Sequence, residues 1–222
     1  THTWAPNFGY RLVNLELGKQ PADTQQSRWD LSCVRQFLNG GEQISATVMI
    51  EFVQLLSAYG LPVTSLQPAF GMAETCTCIT FKREFDAANV NIFTGDEKPR
   101  SFVDVGAPIP GVAIRIVDEN NRVLPEGTVG RLQIKGAVIT PGYLNNVQAN
   151  EESQVGDGWF NSGDMGFICD GHLALTGPEK ETIIFYGNTL YCHEIEELAA
   201  ELPGVLPTYV AVVGVRNEAI AS

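Results

Sequence analysis

Positive charge is scarce in this sequence: 14 Lys and Arg stand against 26 Asp and Glu, giving a formal net charge of -12 over 222 residues. A nucleic-acid surface needs clustered Lys and Arg, and none occurs, so that class of partner is excluded. A small anion held by local dipoles is not. No apolar run is long enough to be a membrane span, and Thr1-His-Thr-Trp-Ala-Pro6 lacks the layout of a signal peptide. The first residue is not Met, and the expectation is an excised piece of a longer chain. Cysteine is sparse too: Cys33, Cys76, Cys78, Cys169 and Cys192 form no CxxC pair and are odd in number. Reduced thiols and a cytoplasmic location are expected. Cys76-x-Cys78 is open to metal ligation or to packing. Two side chains at i and i+2 share one strand face, and buried free Cys behaves as a small hydrophobe, so core packing is the expected role.

What is present is ample apolar material, 44% of residues against 18% charged, enough for one large domain or a domain with a small appendage. Val48, Met49, Phe52, Val53, Leu56 and Tyr59 recur at helical spacing, which predicts a helix over 45–59 with Ser45 as N-cap and Gly60-Leu-Pro62 as its stop. A short strand is expected over 62–67, feeding Pro68-Ala-Phe-Gly71. Helix then strand suggests an α/β layer, in which ligands gather beyond the carboxyl ends of the strands. From Gly111 the pattern changes to alternation over 112–117 and 129–135, read as antiparallel β forming a small distorted barrel. The Gly-, Asn- and Asp-rich stretch 141–170 reads as an ordered loop system. After Gly177-Pro178 come an expected strand over 182–186, a helix over 194–202 and a strand over 209–213, the start of a new α+β unit. The fold class is thus α/β plus antiparallel β.

Three segments carry residue types suited to chemistry. Phe70-Gly-Met-Ala-Glu-Thr75 ends a strand with a ring that can stack a heterocycle, a glycine that admits close approach, and a carboxylate for Mg²⁺ and phosphates. The alternative is a buried Phe, a turn Gly and a solvated Glu. In Gly158-Trp-Phe-Asn-Ser-Gly-Asp-Met-Gly166, Asp164 can accept hydrogen bonds from both hydroxyls of a ribose, or it can hold its own loop as a turn residue. Asn39-Gly-Gly-Glu-Gln43 offers bare backbone to a purine edge, or is a plain helix-entry turn. Cys192 and His193 are adjacent but point apart, so no thiol–base pair is expected, and His2 and His172 have no partner visible in the sequence.

These segments, in this order and with Gly142-Tyr143-Leu-Asn145 between them, resemble the adenylate-forming superfamily of acyl-CoA synthetases, luciferases and peptide-synthetase adenylation domains, over nearly the whole chain. The resemblance implies an ATP-dependent ligase that makes an acyl-AMP. It places Gly41, Glu42, Gln43, Phe70, Gly71, Met72, Ala73 and Asp164 at the nucleotide, with Phe70 in the position of the family's usual Tyr. Glu74 would hold Mg²⁺, and Phe8, Gly71 and Met72 would face the carboxylic acid. Residues 1–176 would be part of the adenylation core, 177–181 a hinge with Lys180 at its pivot, and 182–222 the start of a small mobile domain.

Pro178 stands where the family has Arg, which removes one nucleotide contact and stiffens the hinge on one side. A Ser/Thr/Gly-rich phosphate loop and a C-terminal lysine, both implied by the family, are not in these residues, so the piece alone is not expected to turn over. Ala5-Pro-Asn-Phe8, Thr176-Gly-Pro-Glu-Lys180 and Tyr191-Cys-His-Glu-Ile-Glu196 look most like fatty-acyl-AMP-ligase-like modules of polyketide and peptide assembly lines, which hand the acyl group to a phosphopantetheine thiol on a carrier protein. The moderate length of 81–100 keeps an acyl-CoA ligase, with free CoA as acceptor, as an alternative. A degenerate binding module is a second.

Overall fold

The structure, a computed structural model, describes residues 1–19, 29–83, 85, 91–93, 100–185, 188–200, 202–206 and 209–214. The helical periodicity after Ser45 becomes α2 (Ala46–Ser57), with Val48, Met49, Phe52, Val53 and Leu56 buried on one face. Ser45 holds the N-cap position in extended conformation, but its side chain makes no capping bond. The helix α1 (Asn7–Gly18), for which the sequence pattern made no prediction, buries Tyr10, Asn14 and Leu17. The Tyr10 ring meets Phe52 edge-on at 4.9 Å, and its hydroxyl donates to the Leu38 carbonyl at 2.8 Å. Asn14 donates to the Val48 carbonyl at 2.9 Å. Helix and sheet are thereby tied by polar bonds as well as by area.

Against these helices lies a sheet in the order β1-β2-β3-β4. Its strands β1 (His2–Ala5), β2 (Gln36–Asn39) and β3 (Leu66–Gly71) run parallel, and β4 (Cys78–Phe81) returns antiparallel to β3. The strand expected from Pro62 starts later, because Val63–Ser65 forms a 3-10 turn. A short antiparallel pair, β5 (Asn91–Phe93) and β6 (Arg100–Phe102), follows. Most of 81–100 lies outside the described residues.

The alternating segments become β7 (Val112–Val117) and β8 (Gly130–Gly136), joined by β9 (Phe160–Cys169) and β10 (His172–Pro178) in the order β10-β9-β8-β7. The expected barrel is corrected: among the described residues this sheet is open, with β7 and β10 at its edges. The loop reading of 141–170 is also corrected, since it contains α3 (Val147–Ser153) and the whole of β9. Pairing on both sides draws a glycine-rich segment into a strand that its composition alone disfavours.

Beyond β10, a 3-10 turn (Glu179–Glu181) leads into the hairpin β11 (Thr182–Phe185) and β12 (Asn188–Tyr191), then α4 (Cys192–Ala200). The strand expected over 209–213 is not formed. There the Val212 amide donates to the Glu196 carboxylate at 2.8 Å, so a group that a ladder would use is taken by a side chain from α4. One core cluster runs from Phe52 and Phe70 through Ile79 and Val105 to Ile116, Leu132 and Leu173, packing both sheets against each other. A smaller cluster joins Phe102, Phe167, Ala174 and Tyr191. No helix among the described residues is long and apolar enough to cross a membrane.

Candidate functional site

A cavity of about 570 Å³ opens between the two sheets. One wall comes from the carboxyl ends of parallel strands, with Gly41, Glu42 and Gln43 after β2 and Phe70 to Ala73 at the end of β3. The other comes from Ser162 and Asp164 on β9 and from Leu175, Gly177 and Pro178 on β10. All the residues expected at a nucleotide line this one space: Gly41, Glu42, Gln43, Phe70, Gly71, Met72, Ala73 and Asp164. Gln43 spans the gap, donating from Nε2 to the Leu175 carbonyl at 3.1 Å. Phe70 is 8% exposed, so it forms part of the wall and does not project as a free ring.

The first wall is set by close backbone approach. A Cβ on Gly71 would lie 2.2 Å from the Thr77 carbonyl oxygen, so only glycine lets the chain turn back into β4 here. Trp4, Cys76, Thr77 and Cys78 add to the lining. Cys76 is exposed in a turn with φ of 66° and Cys78 opens β4, so the two do not share a strand face and the core-packing expectation fails for Cys76. Burial pushes the Cys78 thiol upward. The second wall is held by strand pairing. The Asp164 amide donates to Ser162 Oγ at 3.0 Å, and the Ser162 hydroxyl donates to the Leu132 carbonyl at 3.1 Å. Asp164 pairs with Pro178 across β9 and β10, so the residue that departs from the family pattern lies directly opposite the candidate ribose ligand.

Glu74 sits beside this cavity, in the 3-10 turn Ala73–Thr75. Its Oε1 accepts a hydrogen bond from the Tyr143 hydroxyl at 2.8 Å, and its backbone carbonyl accepts from the Thr140 amide at 2.7 Å. Burial, the hydrogen bond to Glu74 and the carboxylate's charge push the Tyr143 phenol up to about 12. The Tyr143 phenol therefore keeps its proton at neutral pH and stays the hydrogen-bond donor to Glu74.

Phe8 does not join the nucleotide cavity. It lines a neighbouring space of about 860 Å³ together with Glu42, His193 and Tyr209. Its amide, in the first turn of α1, donates to Glu42 Oε1, so that carboxylate caps the helix while facing both cavities. Lys180 is exposed on the turn after β10 and lines neither space.

His172, which the sequence left without a partner, bonds through Nδ1 to Asp104 Oδ2 at 2.8 Å. Lys82 donates to the same oxygen at 2.7 Å, and the Gly106 amide donates to Oδ1 at 2.7 Å. Burial raises the Asp104 carboxyl, but the bonds from Lys82, His172 and Gly106 outweigh it and hold the group below its ordinary range. Residues from three separate places in the chain meet here, and no local spacing signals them.

Residues 1–144 match the family described as AMP-binding enzyme. The nonribosomal peptide synthetase apvA of Aspergillus terreus (strain NIH 2624 / FGSC A1156) is 35% identical over 213 residues, covering 94% of this chain and 22% of that protein. Among solved structures, the McyG A-PCP complex with phenylalanyl-adenylate is 37% identical with a TM-score of 0.86, covering 99% of this chain and 38% of that one. The fatty acyl-adenylate ligases from E. coli and L. pneumophila are 26% identical with a TM-score of 0.77, covering 91% of this chain and 38% of that one. The chain spans about a fifth of the length of the curated relative. A shared cavity lined by both ordered motifs, a fold matched throughout and a family match over most of the sequence lead to one assignment: this chain belongs to the AMP-binding enzyme family.

Proposed function

We propose that the protein containing this chain activates a carboxylic acid as its acyl-adenylate and passes the acyl group to a phosphopantetheine thiol on a carrier protein in nonribosomal peptide assembly. The observation that carries this reading is the convergence of Gly41–Gln43, Phe70–Ala73 and Asp164 on one cavity. A carboxylate oxygen attacks the α-phosphorus of ATP while the bond to pyrophosphate breaks. The thiol sulfur then attacks the acyl carbon, AMP leaves, and the thiol proton goes to solvent. No residue of this chain forms a covalent intermediate, and its contribution is positioning and charge stabilisation.

In this reading Gly41, Glu42 and Gln43 lie along the adenine, Phe70 beside it, and Asp164 accepts from the ribose hydroxyls. Gly71 and Met72 face the acid. Phe8 belongs to the neighbouring space, so its role as an acid contact is indirect. Mg²⁺ fits Glu74 by the chemistry of its donor: a hard carboxylate oxygen next to a residue that lines the cavity is a group this ion accepts, taking its other ligands from phosphates and water. Among the described residues no group of three His, Cys, Asp or Glu converges as a protein cage. The bound ion would neutralise charge on the triphosphate. The stretch 177–181, with Lys180, serves as the hinge between 1–176 and a small domain that starts at 182, supported by the end of β10 at Pro178 and the turn that follows. A cytoplasmic setting is proposed with it.

The nonribosomal peptide synthetase relative at 35% identity and the McyG A-PCP structure at 37%, against 26% for the fatty acyl-adenylate ligases, favour the peptide-synthetase class over a fatty-acyl-AMP ligase. A carrier thiol rather than free CoA is the acceptor proposed on the same ground. Pro178 opposite Asp164 supports a second reading, a degenerate fold kept for contacts with a carrier domain. Exchange of labelled pyrophosphate into ATP in the full-length protein, across a panel of carboxylic acids, separates the two. No exchange with any acid upholds the binding module. For the ribose role, Asp164→Ala is expected to weaken ATP binding about tenfold, the loss of a charge-assisted pair of hydrogen bonds, with little change in melting temperature. Unchanged affinity with a collapsed melt would restore Asp164 to a purely structural part.

A further inference from the structure

Glu74 is held from outside its own segment. Its backbone carbonyl takes the Thr140 amide and its Oε1 takes the Tyr143 hydroxyl, at 2.7 and 2.8 Å. Its Oε2 receives no hydrogen bond among the described residues. Tyr143 is itself fixed at both backbone ends, because its amide donates to Asn150 Oδ1 at 2.6 Å and its carbonyl accepts from Asn150 Nδ2 at 2.9 Å. Asn150 lies on α3, whose N-cap Asn146 takes the Ala149 amide at 3.2 Å. The residue before Tyr143 must be glycine: Gly142 has φ of 146°, and a Cβ there would lie 2.7 Å from Asn150 Oδ1. A relay of short bonds thus runs from a helix on the antiparallel sheet's side to a carboxylate on the parallel sheet's side.

We infer that Tyr143, anchored by Asn150, is a positioning residue that occupies one oxygen of Glu74 and turns the other toward the cation on the triphosphate. This rests on the reading of Glu74 given above. A carboxylate with one oxygen taken by a fixed donor loses the freedom to rotate, and it enters a cation's shell with one aimed oxygen instead of two wandering ones. Hydrogen bonds to metal-ligating carboxylates commonly carry a large share of metal affinity. A bond that served only to fasten loop 140–143 to the turn would leave cation dependence untouched, which separates the two roles.

The test uses the full-length protein and calorimetric titration with ATP, once with saturating Mg²⁺ and once with EDTA, alongside thermal melts. Tyr143→Phe keeps the ring against Phe160 and removes only the hydroxyl. It is expected to weaken MgATP binding about tenfold while the affinity measured in EDTA stays put. Asn150→Ala, which frees the anchor but keeps the hydroxyl, is expected to act in the same direction with a smaller effect. Equal losses with and without Mg²⁺, or none with Mg²⁺, overturn the inference. Glu74→Gln tells the two levels apart. If it abolishes the Mg²⁺-dependent part of binding and Tyr143→Phe does not, the positioning role alone fails; if it leaves that part intact, the cation reading of Glu74 fails and takes the positioning role with it.

Discussion

The two walls of the cavity are built by different means. The first is shaped by crowding: Gly71 is in a place where any side chain would strike the backbone of the next strand. The second is shaped by pairing. Gly163, beside Asp164, has φ of 81° and open space around its missing Cβ, and the ladder shifts register between Leu175 and Gly177 on β10 and between Arg131 and Gln133 on β8. A crowded wall fixes atoms at the cost of tolerance, whereas a paired wall tolerates change but places its carboxylate through a bulged ladder. The difference implies that substitutions at the first wall are read out as stability, and those at the second as binding.

Three measurements can break or sharpen that contrast. Gly71→Ala is expected to cost about 3 kcal/mol in denaturant unfolding, the upper range for forced overpacking, because the obstacle is backbone and cannot rotate away. A cost near zero would mean the first wall gives as readily as the second. Asp104→Asn tests the clamp between the walls, since Lys82 follows β4 and His172 opens β10. Removing the charge is expected to cost about 2 kcal/mol, discounted because Lys82 and His172 are partly exposed. The pH dependence has a definite sign. The Asp104 carboxyl is lowered in the folded protein, so its contribution is complete above the ordinary Asp range and fades as the pH falls through the folded value. Acid titration of stability should therefore converge for the parent and Asp104→Asn. The smallest effect is expected at Gly163→Ala, about 1 kcal/mol from the left-handed backbone alone. A larger loss would show crowding at the second wall too.

The same contrast governs what was legible in the sequence. The first wall's motif is contiguous and α2 has a clear helical period, so the place of Phe70 to Glu74 at the end of a strand is legible from the sequence. The segment 158–169 has a loop's composition, because Gly158, Gly163 and Gly166 with Asn161 and Asp164 are turn formers, and only the neighbouring strands make 160–169 a strand. α1 gives no clear apolar period because its buried face includes Asn14, whose Nδ2 donates to the Val48 carbonyl and the Glu51 carboxylate of another helix. Tyr209 to Val213 had a strand's composition and no ladder to join. His172 and Tyr143 act through partners 68 and 69 residues away, beyond any local pattern.

The Gln43 side chain that reaches the Leu175 carbonyl spans 132 residues of chain. During synthesis at ~10 residues per second, the second wall leaves the ribosome about ten seconds after the first. For that interval Met72 and Phe70 have no second wall opposite them, and the proposed nucleotide site is incomplete until the end of β10 has arrived.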